Sequence, residues 1–473
     1  MAFTDRLHNR GSVSTGYDID NSIMLEGSDS EQLTRTPSSN GNMQMWTVSC
    51  WVKRTELGSN QMIFSASDTY AYFTTADILQ VNLRSASSGN RLLLTNRVFR
   101  DTAAWYHIVV RVDTENSTGT NKCRIYVNGE QETSFSLASA HSGTGDTRWN
   151  NTTQHRIGNY VSGDYYFHGY IAEFHSIDGQ SLAPTQFGKV NDDGMWEAIK
   201  YSGSYGSQGF YLDFADASDL GDDESGNGND FSESNIDSNN QATDTPTNSF
   251  CTMNNNSRTN GNIRTTYGGT YTATDGGSGW VSMLATHGVS SGKWYWEGWF
   301  ENNSDARYVM WGISAANDPW IPARSGGYYL GNVATSGSIG WYGINGSIYN
   351  GSGSWSGMNY SAKLMFALDC DNGKLYYGSN GTWGNSSNPA TNTNGINYVS
   401  AMSGINPADE FILPALSVYQ GNRARINFGG IPPQGGGYSI SSAASDADGY
   451  GTFEYAPPSG YYAICTKNIA EYG

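Results

Sequence analysis

Bulky apolar side chains alternate with polar ones along several short stretches in the first half of the chain. Successive side chains of a strand point to opposite faces, so a period of two marks a strand that is buried on one side. In WTVSCWV the residues on one face are Trp46, Val48, Cys50 and Val52. WYHIVVRVD and CRIYVNGE repeat this pattern, and Asn128-Gly129 favours a tight hairpin turn. The pattern predicts an antiparallel β-domain over residues 26–214.

A second set of alternating stretches predicts another β-domain over residues 250–430. KWYWEGWF, KLMFALDCDNGKLYYG, ILPALSV and RARINFGG each read as one or two strands. Burying a Trp side chain removes about 150–250 Å² from water, which contributes several kcal/mol for two of them. Trp294 and Trp296 are therefore predicted to lie in the core, with Tyr295 and Trp299 on the opposite face.

The remaining segments lack this rhythm. Residues 1–25 are predicted to be an N-terminal arm, and residues 431–473 a C-terminal extension. Residues 215–249 are acidic and rich in Gly, Asn and Ser, which predicts a solvated linker. A calcium loop is the alternative there, although the spacing of its aspartates departs from the EF-hand pattern. Only APTQFGKVNDDGMWEAIK (183–200) suggests a short helix.

Composition and charge exclude several classes of partner. The chain has 473 residues, of which 37% are hydrophobic and 15% charged, and its formal net charge is −18. Nucleic-acid binding requires clustered Lys and Arg, so a nucleic-acid partner is not expected. No stretch approaches the ~18 apolar residues of a membrane span, so membrane insertion is not expected either. The five cysteines are widely spaced, without CxxC, and are predicted to be free thiols.

Catalytic signatures are weak. A retaining glycosidase requires two carboxylates about 5–5.5 Å apart, and Glu173 and Asp178 are the nearest approach, predicted to lie on different elements. GVSSG around Ser290 fits the nucleophile-elbow pattern, but a strand is predicted after it where that motif requires a helix. We therefore expect no enzyme activity, no catalytic residues and no metal ligands. We also expect no cofactor; calcium is possible but is not supported by a motif.

Aromatic residues that lie among Gly, Ser and Asn are the best candidates for ligand contact. A sugar site needs a flat apolar surface and a few convergent hydrogen-bonding groups. The candidates in the second half are Trp320, Tyr328, Tyr329, Tyr349, Trp355 and Trp383. Those in the first half are Tyr160, Tyr165 and Tyr166. The alternatives for each ring are partial burial in the core, packing within a loop, or burial against sister subunits.

Several of these segments resemble known families. GVSSGKWYWE, MWGIS, SIGWYGINGSIYNGSG, LMFALDCDNGKLYYGSNG and LPALSVYQGNRARINFG resemble, in order, the SPRY domain. WTVSCWVKR, AWYHIVVRVD, RIYVNGE and HGYIAEFHSIDGQSLAPTQFG resemble the concanavalin-like and laminin-G jelly rolls. The resemblance implies an all-β chain of two β-sandwich domains, a jelly roll followed by a bent SPRY-type sandwich, with an N-terminal arm. SPRY domains bind partners through loops at one end.

The junction GFYLDFADASDLGDDESGNGNDF and the C-terminal FEYAPPSGYYAICTKNIAEYG resemble sequences of structural proteins in tailed, particularly marine, bacteriophages. That resemblance implies a non-enzymatic virion surface protein on the tail or capsid, assembled in the host cytoplasm. Its arm would attach it to other virion proteins, its subunits would form a homo-oligomer, with a trimer favoured, and its loops would bind host surface glycans. A capsid decoration or head-fibre protein without a host ligand, and a polysaccharide depolymerase, are the alternatives.

Overall fold

The computed structural model places almost every strand predicted from the alternating pattern. It describes residues 16–85, 89–139, 144–258, 263–274, 279–301, 308–318, 328–332, 336–350, 354–356, 358, 363–403, 406, 410–419, 421–432 and 439–473. The chain divides between Thr247 and Asn248 into two compact units, here called the first and second domains. In these ranges, no helix is long and apolar enough to cross a membrane.

The first domain is built from short antiparallel strands. In chain order they are β1 Ser22–Leu25, β2 Gln32–Arg35, β3 Met45–Arg54, β4 Gln61–Ala66, β5 Thr69–Phe73, β6 Ile78–Ser85, β7 Gly89–Val98, β8 Tyr106–Asp113, β9 Cys123–Val127, β10 Glu130–Gln131, β11 Phe135–Ala138, β12 His155–Ile157, β13 Gly169–Asp178, β14 Gly188–Val190, β15 Trp196–Ala198, β16 Phe210–Leu212, β17 Ser232–Ser234 and β18 Gln241–Ala242. Single 3-10 turns lie at Gly27–Asp29, Gly119–Asn121, Pro184–Gln186 and Ser238–Asn240.

Sixteen of these strands form two eight-stranded sheets that enclose one hydrophobic core, and β14 and β15 form a separate two-stranded sheet. The first sheet has the order β10-β9-β8-β3-β13-β1-β18, with β16 also paired to β13, and the second has the order β11-β7-β6-β5-β4-β12-β2-β17. The predicted inward face of β3 is confirmed, because Trp46, Val48, Cys50 and Val52 are all buried in this core. Asn128 and Gly129 take positive φ values of 49° and 79°, as the predicted hairpin turn requires.

The predicted linker is wrong, because residues 215–247 fold into the first domain. Leu220 and Phe231 are buried in its core, β17 pairs with β2, and β18 pairs with β1. Asp244 is fully buried and forms an ion pair of 2.7 Å with Lys53 on β3. The acidic composition reflects turn formation, since carboxylates such as that of Asp223 accept backbone N–H groups, here those of Tyr211 and Ser225.

Two smaller predictions for the first domain also need correction. The described part of the predicted arm is folded, since Ile19 is buried and β1 lies between β13 and β18; residues 1–15 lie outside the described residues. The predicted helix over 183–200 is instead a 3-10 turn at Pro184–Gln186 followed by the hairpin β14–β15. The Asn191–Gly194 turn closes that hairpin, with Gly194 at φ 81°.

The second domain contains the second set of strands. They are β19 Ile263–Thr266, β20 Tyr271–Thr274, β21 Trp280–Leu284, β22 Lys293–Glu301, β23 Val309–Ala315, β24 Ser338–Tyr342, β25 Ile348–Tyr349, β26 Leu364–Asp369, β27 Lys374–Ser379, β28 Thr382–Trp383, β29 Ile396–Asn397, β30 Ile412–Tyr419, β31 Arg423–Asn427 and β32 Tyr462–Ala463. The helices are α1 Tyr398–Ala401 and α2 Thr466–Tyr472, with 3-10 turns at Asn255–Ser257, Tyr267–Gly269 and Pro389–Thr391.

Two sheets again enclose a core. The nine-stranded sheet has the order β19-β20-β31-β22-β26-β27-β28, with β29 paired to β27 and β32 paired to β22. The five-stranded sheet has the order β21-β30-β23-β24-β25. Trp294 and Trp296 lie between the sheets and are fully buried, as predicted, and Trp296 stacks on Phe366 with ring centroids 5.5 Å apart.

The predicted C-terminal extension is an integral layer of the second domain. Its described residues cover the outer face of the nine-stranded sheet, where Tyr295 is fully buried against Phe453 with ring centroids 5.0 Å apart. The buried Glu297 carboxylate accepts the backbone N–H groups of Glu454 and Tyr455 at 2.9 and 2.8 Å. The outward residues of β22 therefore meet a third layer of protein.

All five cysteines are free thiols, as predicted. Four of them are buried and Cys370 is partly buried. Burial raises the pKa of the Cys123 thiol to about 12, so it remains protonated and packs as a small apolar side chain.

Candidate functional site

Four tyrosines of the first domain form one aromatic surface, here called the tyrosine cluster: Tyr70, Tyr72, Tyr160 and Tyr165. Tyr165 stacks on Tyr72 with ring centroids 5.5 Å apart and on Tyr160 at 6.0 Å. Tyr70 meets Tyr72 and Tyr160 edge to face, each at 5.6 Å. Tyr165 is 40% exposed and the other three are half-buried, so the rings form a continuous surface open to solvent.

A strand and a loop bring these rings together. On β5, Ala71 and Phe73 point into the core, which leaves Tyr70 and Tyr72 on the outer face. Tyr160 and Tyr165 belong to the loop after β12, which is closed by a bond from the Tyr160 N–H to the Asp164 carbonyl at 2.9 Å. The Tyr165 carbonyl also accepts the Met62 N–H on β4 at 2.7 Å. Strand and loop thus fix both halves of the cluster.

Tyr165 stands out for its backbone as well as its exposure. Its φ of 59° lies in the left-handed region, which is unfavourable for a residue with a β-carbon. Such conformations concentrate at binding and active sites, because the surrounding structure must hold them in place. The conformation sets the direction in which the Tyr165 ring leaves the loop and stacks between Tyr72 and Tyr160.

Polar groups on the neighbouring strand β6 lie beside the rings. The Tyr72 hydroxyl donates a hydrogen bond of 3.1 Å to the side-chain Oε1 of Gln80, and the side-chain Nε2 of Gln80 donates to the Tyr70 hydroxyl at 3.5 Å. Asn82, paired opposite Tyr70, has a buried Oδ1 without a hydrogen-bond partner among the described residues. Burial, followed by the charges of Tyr70 and Tyr165, raises the pKa of Tyr72 to about 12. The phenol therefore stays neutral and can donate a hydrogen bond.

The second domain carries an aromatic surface at one end of its five-stranded sheet. Its rings, here called the aromatic end, are Trp280, Tyr308, Tyr329, Tyr342, Tyr349 and Tyr419. Trp280 is central, with ring centroids 5.1 Å from Tyr329 and 5.3 Å from Tyr419. Trp280 begins β21, and Tyr419 and Tyr342 end β30 and β24, so antiparallel pairing collects their side chains at the same edge.

A polar cleft of about 740 Å³ lies beside strand β25 of the second domain, where Ile348 and Asn350 line it. It is here called the asparagine cleft, after the residues that give its wall its character: Asn350, Asn385, Asn394, Asn397, Ser354 and Ser400. Ile348 and the edge of the buried Trp355 supply apolar surface. The Trp355 indole N–H donates to the Tyr377 carbonyl at 2.8 Å, so the ring is held in the core.

The structure separates the predicted ring residues into different environments. Tyr160 and Tyr165 belong to the tyrosine cluster, and Tyr329 and Tyr349 to the aromatic end. Tyr166 is half-buried in the same loop as Tyr165 but contacts no ring of the cluster in the described part of the chain. These rings remain candidates for ligand contact.

The other predicted rings are less available. Contrary to the expectation of loop exposure, Tyr328 and Trp355 are buried at 3% exposure. The Tyr328 hydroxyl donates to the Asp318 carboxylate at 3.3 Å and lies at hydrogen-bond distance, 3.1 Å, from the Ser338 hydroxyl. Trp383 is half-buried against Tyr295. Trp320 lies outside the described residues. The ring faces of Tyr328 and Trp355 are therefore closed to a ligand from solvent.

Sequence reasoning missed Tyr70 and Tyr72 and most rings of the aromatic end. Their signal was present in TYAYF, where Tyr70 and Tyr72 alternate with the core residues Ala71 and Phe73. Alternation identifies the outward face of a strand, but it does not say whether another layer covers that face. On β5 the outward tyrosines remain partly exposed.

The strongest acid–base grouping is a closed network on β13. Glu173 and Asp178 lie on this one strand, which corrects the prediction of different elements. Glu173 has a φ of 50° and accepts hydrogen bonds from Tyr17 at 2.8 Å and Tyr211 at 2.5 Å, with His175 Nε2 at 3.3 Å. Burial alone would raise the pKa of Glu173. The interactions with His175 and with the Tyr211 and Tyr17 hydroxyls outweigh burial and bring this pKa below its usual value.

This network has the character of a structural anchor. Glu173 is 5% exposed and His175 4% exposed, and the Asp178 carboxylate is engaged separately by the backbone N–H groups of Asn42 and Gln208. The two carboxylates therefore do not share a cleft. No three His, Cys, Asp or Glu side chains in the described ranges come together as a metal site would require.

Comparison with known proteins supports the fold of the first domain. Residues 26–184 match the model of the concanavalin A-like lectin/glucanases superfamily. The all-β fold class with two β-sandwich domains, predicted from the sequence, is confirmed by the sheets of both domains, and the family match covers the concanavalin-like part of the first. A comparison with curated proteins gave no match.

Three solved structures are similar to parts of the chain. The SPRY domain of human HERC1 is 14% identical, with 37% of this chain and 96% of that one covered and a TM-score of 0.27. A proposed carbohydrate-binding protein from Bacteroides ovatus is 17% identical, with 47% and 61% covered and a TM-score of 0.32. A heptameric SAP-like pentraxin from Limulus polyphemus is 16% identical, with 36% and 82% covered and a TM-score of 0.27. This chain thus spans less than two thirds of the Bacteroides protein.

Proposed function

We propose that the protein is a non-enzymatic carbohydrate-binding protein and that the tyrosine cluster is its glycan site. The observation that carries this proposal is the set of four partly exposed, mutually packed rings on the outer face of a concanavalin-like sandwich. Contiguous exposed apolar surface is unfavourable in water unless it serves an interaction. A glycan is the ligand class that the surface chemistry favours.

Rings and polar groups are combined here as sugar recognition requires. The C–H faces of a pyranose pack on flat aromatic surface, while its hydroxyls need convergent donors and acceptors. The tyrosine cluster offers both, because Gln80 and the neutral phenols of Tyr70 and Tyr72 lie at its edge. No Lys or Arg is among these groups, so the surface favours uncharged sugars over phosphate or sulfate.

We further propose that the protein is displayed on the tail or capsid surface of a bacteriophage virion and attaches the particle to host surface glycans. The resemblance of its junction and C-terminal sequences to phage structural proteins supports this proposal. The N-terminal residues would attach it to other virion proteins, and its subunits would form a trimer. The aromatic end of the second domain would then be either a second glycan contact or a subunit interface.

The test is binding of the full chain to a glycan array, followed by calorimetry with the glycans that bind. Tyr72→Ala and Tyr165→Ala should each weaken binding about 5- to 30-fold, because a stacked ring contributes about 1–2 kcal/mol. Tyr166→Ala is the matched control, since it changes a tyrosine of the same loop that lies outside the cluster. Equal effects of all three changes would contradict the assignment of the site.

Other outcomes distinguish the alternative functions. Release of reducing ends from a bound polysaccharide would show a depolymerase. An array without any signal, combined with antibody labelling of the head in negatively stained particles, would favour a capsid decoration protein. Labelling at the tail together with Tyr72-dependent glycan binding is the result that we expect.

A further inference from the structure

The asparagine cleft of the second domain has the properties of a second, independent binding site. We infer that it binds a neutral, hydroxyl-rich ligand, with an uncharged oligosaccharide as the chemical class. This inference does not depend on the tyrosine cluster, because the cleft is built entirely from residues 331–401 of the second domain. It assigns a ligand to a different surface with a different mode of recognition, by amides instead of ring faces.

The size of the cleft suits a small ligand. Its volume of about 740 Å³ lies within the range of about 300–1,000 Å³ that is typical of ligand pockets. Ile348 and the edge of Trp355 provide limited apolar surface. A mostly apolar ligand would leave the surrounding amides without hydrogen bonds, which is unfavourable for each buried polar group.

The chemistry of the wall selects an uncharged ligand. None of the twelve described residues that line the cleft is charged, although the chain contains 44 Asp and Glu and 26 Lys and Arg. An asparagine amide provides two donors and one acceptor, and a serine hydroxyl provides both. Sugar hydroxyls also donate and accept, so they match such a wall, whereas a phosphate or carboxylate finds no cation in it.

The asparagines are held in place by their own backbone and side chains. Asn350, Asn385 and Asn394 take left-handed φ values of 58°, 55° and 55°. The Asn350 amide nitrogen donates to the Ser336 and Ser338 carbonyls, both at 2.9 Å, and the Asn385 N–H donates to the Ser356 carbonyl at 2.8 Å. Groups fixed before binding lose less conformational entropy when the ligand arrives.

Fixing the wall leaves hydrogen-bonding capacity for a ligand. Asn350 and Asn394 use their amide nitrogens internally, at 2.9 and 3.1 Å, which leaves their Oδ1 atoms as acceptors. Asn397 uses Oδ1 to accept the Ser400 N–H at 3.0 Å, which leaves its amide nitrogen as a donor. The side chains of Asn385 and Ser354 have no hydrogen-bond partner in the described part of the chain and line the cleft. The wall thus presents both donors and acceptors.

The test uses the full chain with the tyrosine cluster disabled by Tyr72→Ala and Tyr165→Ala together. Neutral probes are maltotetraose, cellotetraose, xylotetraose and chitotetraose (N-acetylated), and the charged probe is tetragalacturonate, all observed by saturation-transfer NMR. We expect at least one neutral probe to bind. Asn385→Ala and Ser354→Ala should each weaken it about three- to tenfold, since each removes one hydrogen bond. Asn388→Ala, in the same loop but outside the cleft lining, should leave binding unchanged.

Failure of this inference can be distinguished from failure of the proposed function. Glycan binding that the Tyr72→Ala and Tyr165→Ala changes abolish completely would support the tyrosine cluster and overturn the cleft. Binding in the disabled background that is indifferent to Asn385→Ala and Ser354→Ala would also overturn it, as would a preference for tetragalacturonate. Circular dichroism of each variant checks the fold, and Asn385 and Ser354 are suitable because no internal bond of their side chains is lost.

Discussion

The buried His107 should make the stability of the first domain sensitive to acid. Its ring is 1% exposed and stacks on Trp51 with ring centroids 4.7 Å apart. The Trp196 indole N–H donates to His107 Nδ1 at 2.9 Å, so Nδ1 must be the unprotonated acceptor, and Nε2 donates to the Ser49 hydroxyl at 2.8 Å. A second proton on Nδ1 would face the Trp196 N–H directly. The ring must therefore be neutral for the domain to fold in this way.

The magnitude follows from the change in protonation on unfolding. Burial, with a smaller effect of His175, lowers the pKa of His107 to about 3, from an ordinary value of 6.5. The unfolded chain thus takes up a proton below pH 6.5 while the folded domain does not, so stability falls as the pH falls, until the folded pKa is reached. At about 1.36 kcal/mol per pH unit, the loss at pH 5 is about 2 kcal/mol.

The assay compares wild type with His107→Asn in the full chain at pH 7.5, 6 and 5. Unfolding in urea is followed by hydrogen exchange of peptides from β8, so that the first domain is read separately. The variant should be less stable at pH 7.5, because the Trp51 stack and the Ser49 bond are lost. Its deficit should shrink by about 2 kcal/mol at pH 5. A deficit that is independent of pH would refute the reasoning.

The comparison between variants is necessary because another buried group acts in the opposite direction. Burial raises the pKa of the Glu31 carboxyl to about 7, so the folded domain binds that proton more readily than the unfolded chain does. Its contribution to stability therefore increases as the pH falls from 7 towards its ordinary value of 4.5. The pH profile of wild type alone would mix the two effects, whereas the difference between the two proteins isolates His107.

Three further predictions concern other parts of the chain. Lys53→Met should lower the stability of the first domain by about 3–5 kcal/mol in urea unfolding, because the Asp244 carboxylate would remain buried without the Lys53 ammonium. Lys189→Met removes a largely exposed ammonium from its pair with Glu197 and should change the stability by less than about 1 kcal/mol. Glu297→Ala should make residues 439–463 sensitive to limited proteolysis while Glu410→Ala does not, since two backbone N–H groups of the C-terminal layer lose their acceptor. Binding to an immobilised anionic polysaccharide should strengthen as the salt concentration rises from 0.01 to 0.1 M. The Debye length then falls from about 30 to about 10 Å, so repulsion by the net charge of −18 is screened. Binding that weakens steadily with added salt would contradict this prediction.

The strands were predictable because their signal is local. On β3 the core residues run from Trp46 to Val52 at every second position, and on β22 they include Trp294 and Trp296. The residues between them face the other side of the sheet, and this period of two can be read directly from the sequence. The linker was not predictable in the same way. In residues 215–247 the core contribution comes from widely separated residues such as Leu220 and Phe231, and most of the other residues lie in turns and irregular loops. Such a composition describes an ordered coil and a solvated linker equally well.

The helix prediction failed for a related reason. MWEAIK contains good helix formers, but it follows directly after the Asn191–Gly194 turn, and Trp196 is held by its bond to His107. Intrinsic helix preference is worth only tenths of a kcal/mol per residue. The hydrogen bond from Trp196 to the buried His107 ring and the packing of the Trp196 side chain outweigh this preference, and His107 is far from Trp196 in sequence.

The candidate site depends on what covers the outer face of each sheet, which no local pattern contains. Tyr295 on β22 and Tyr72 on β5 both point away from the core of their own sandwich. Tyr295 is fully buried, because Phe453 and Tyr461 from more than 150 residues later pack over it. Among the described residues, the loop that supplies Tyr160 and Tyr165 packs beside Tyr72, and it adds rings without closing the surface. An outward aromatic residue is therefore available for binding when the segment that packs beside it adds further exposed rings, as at Tyr72. It is unavailable when that segment covers it, as at Tyr295.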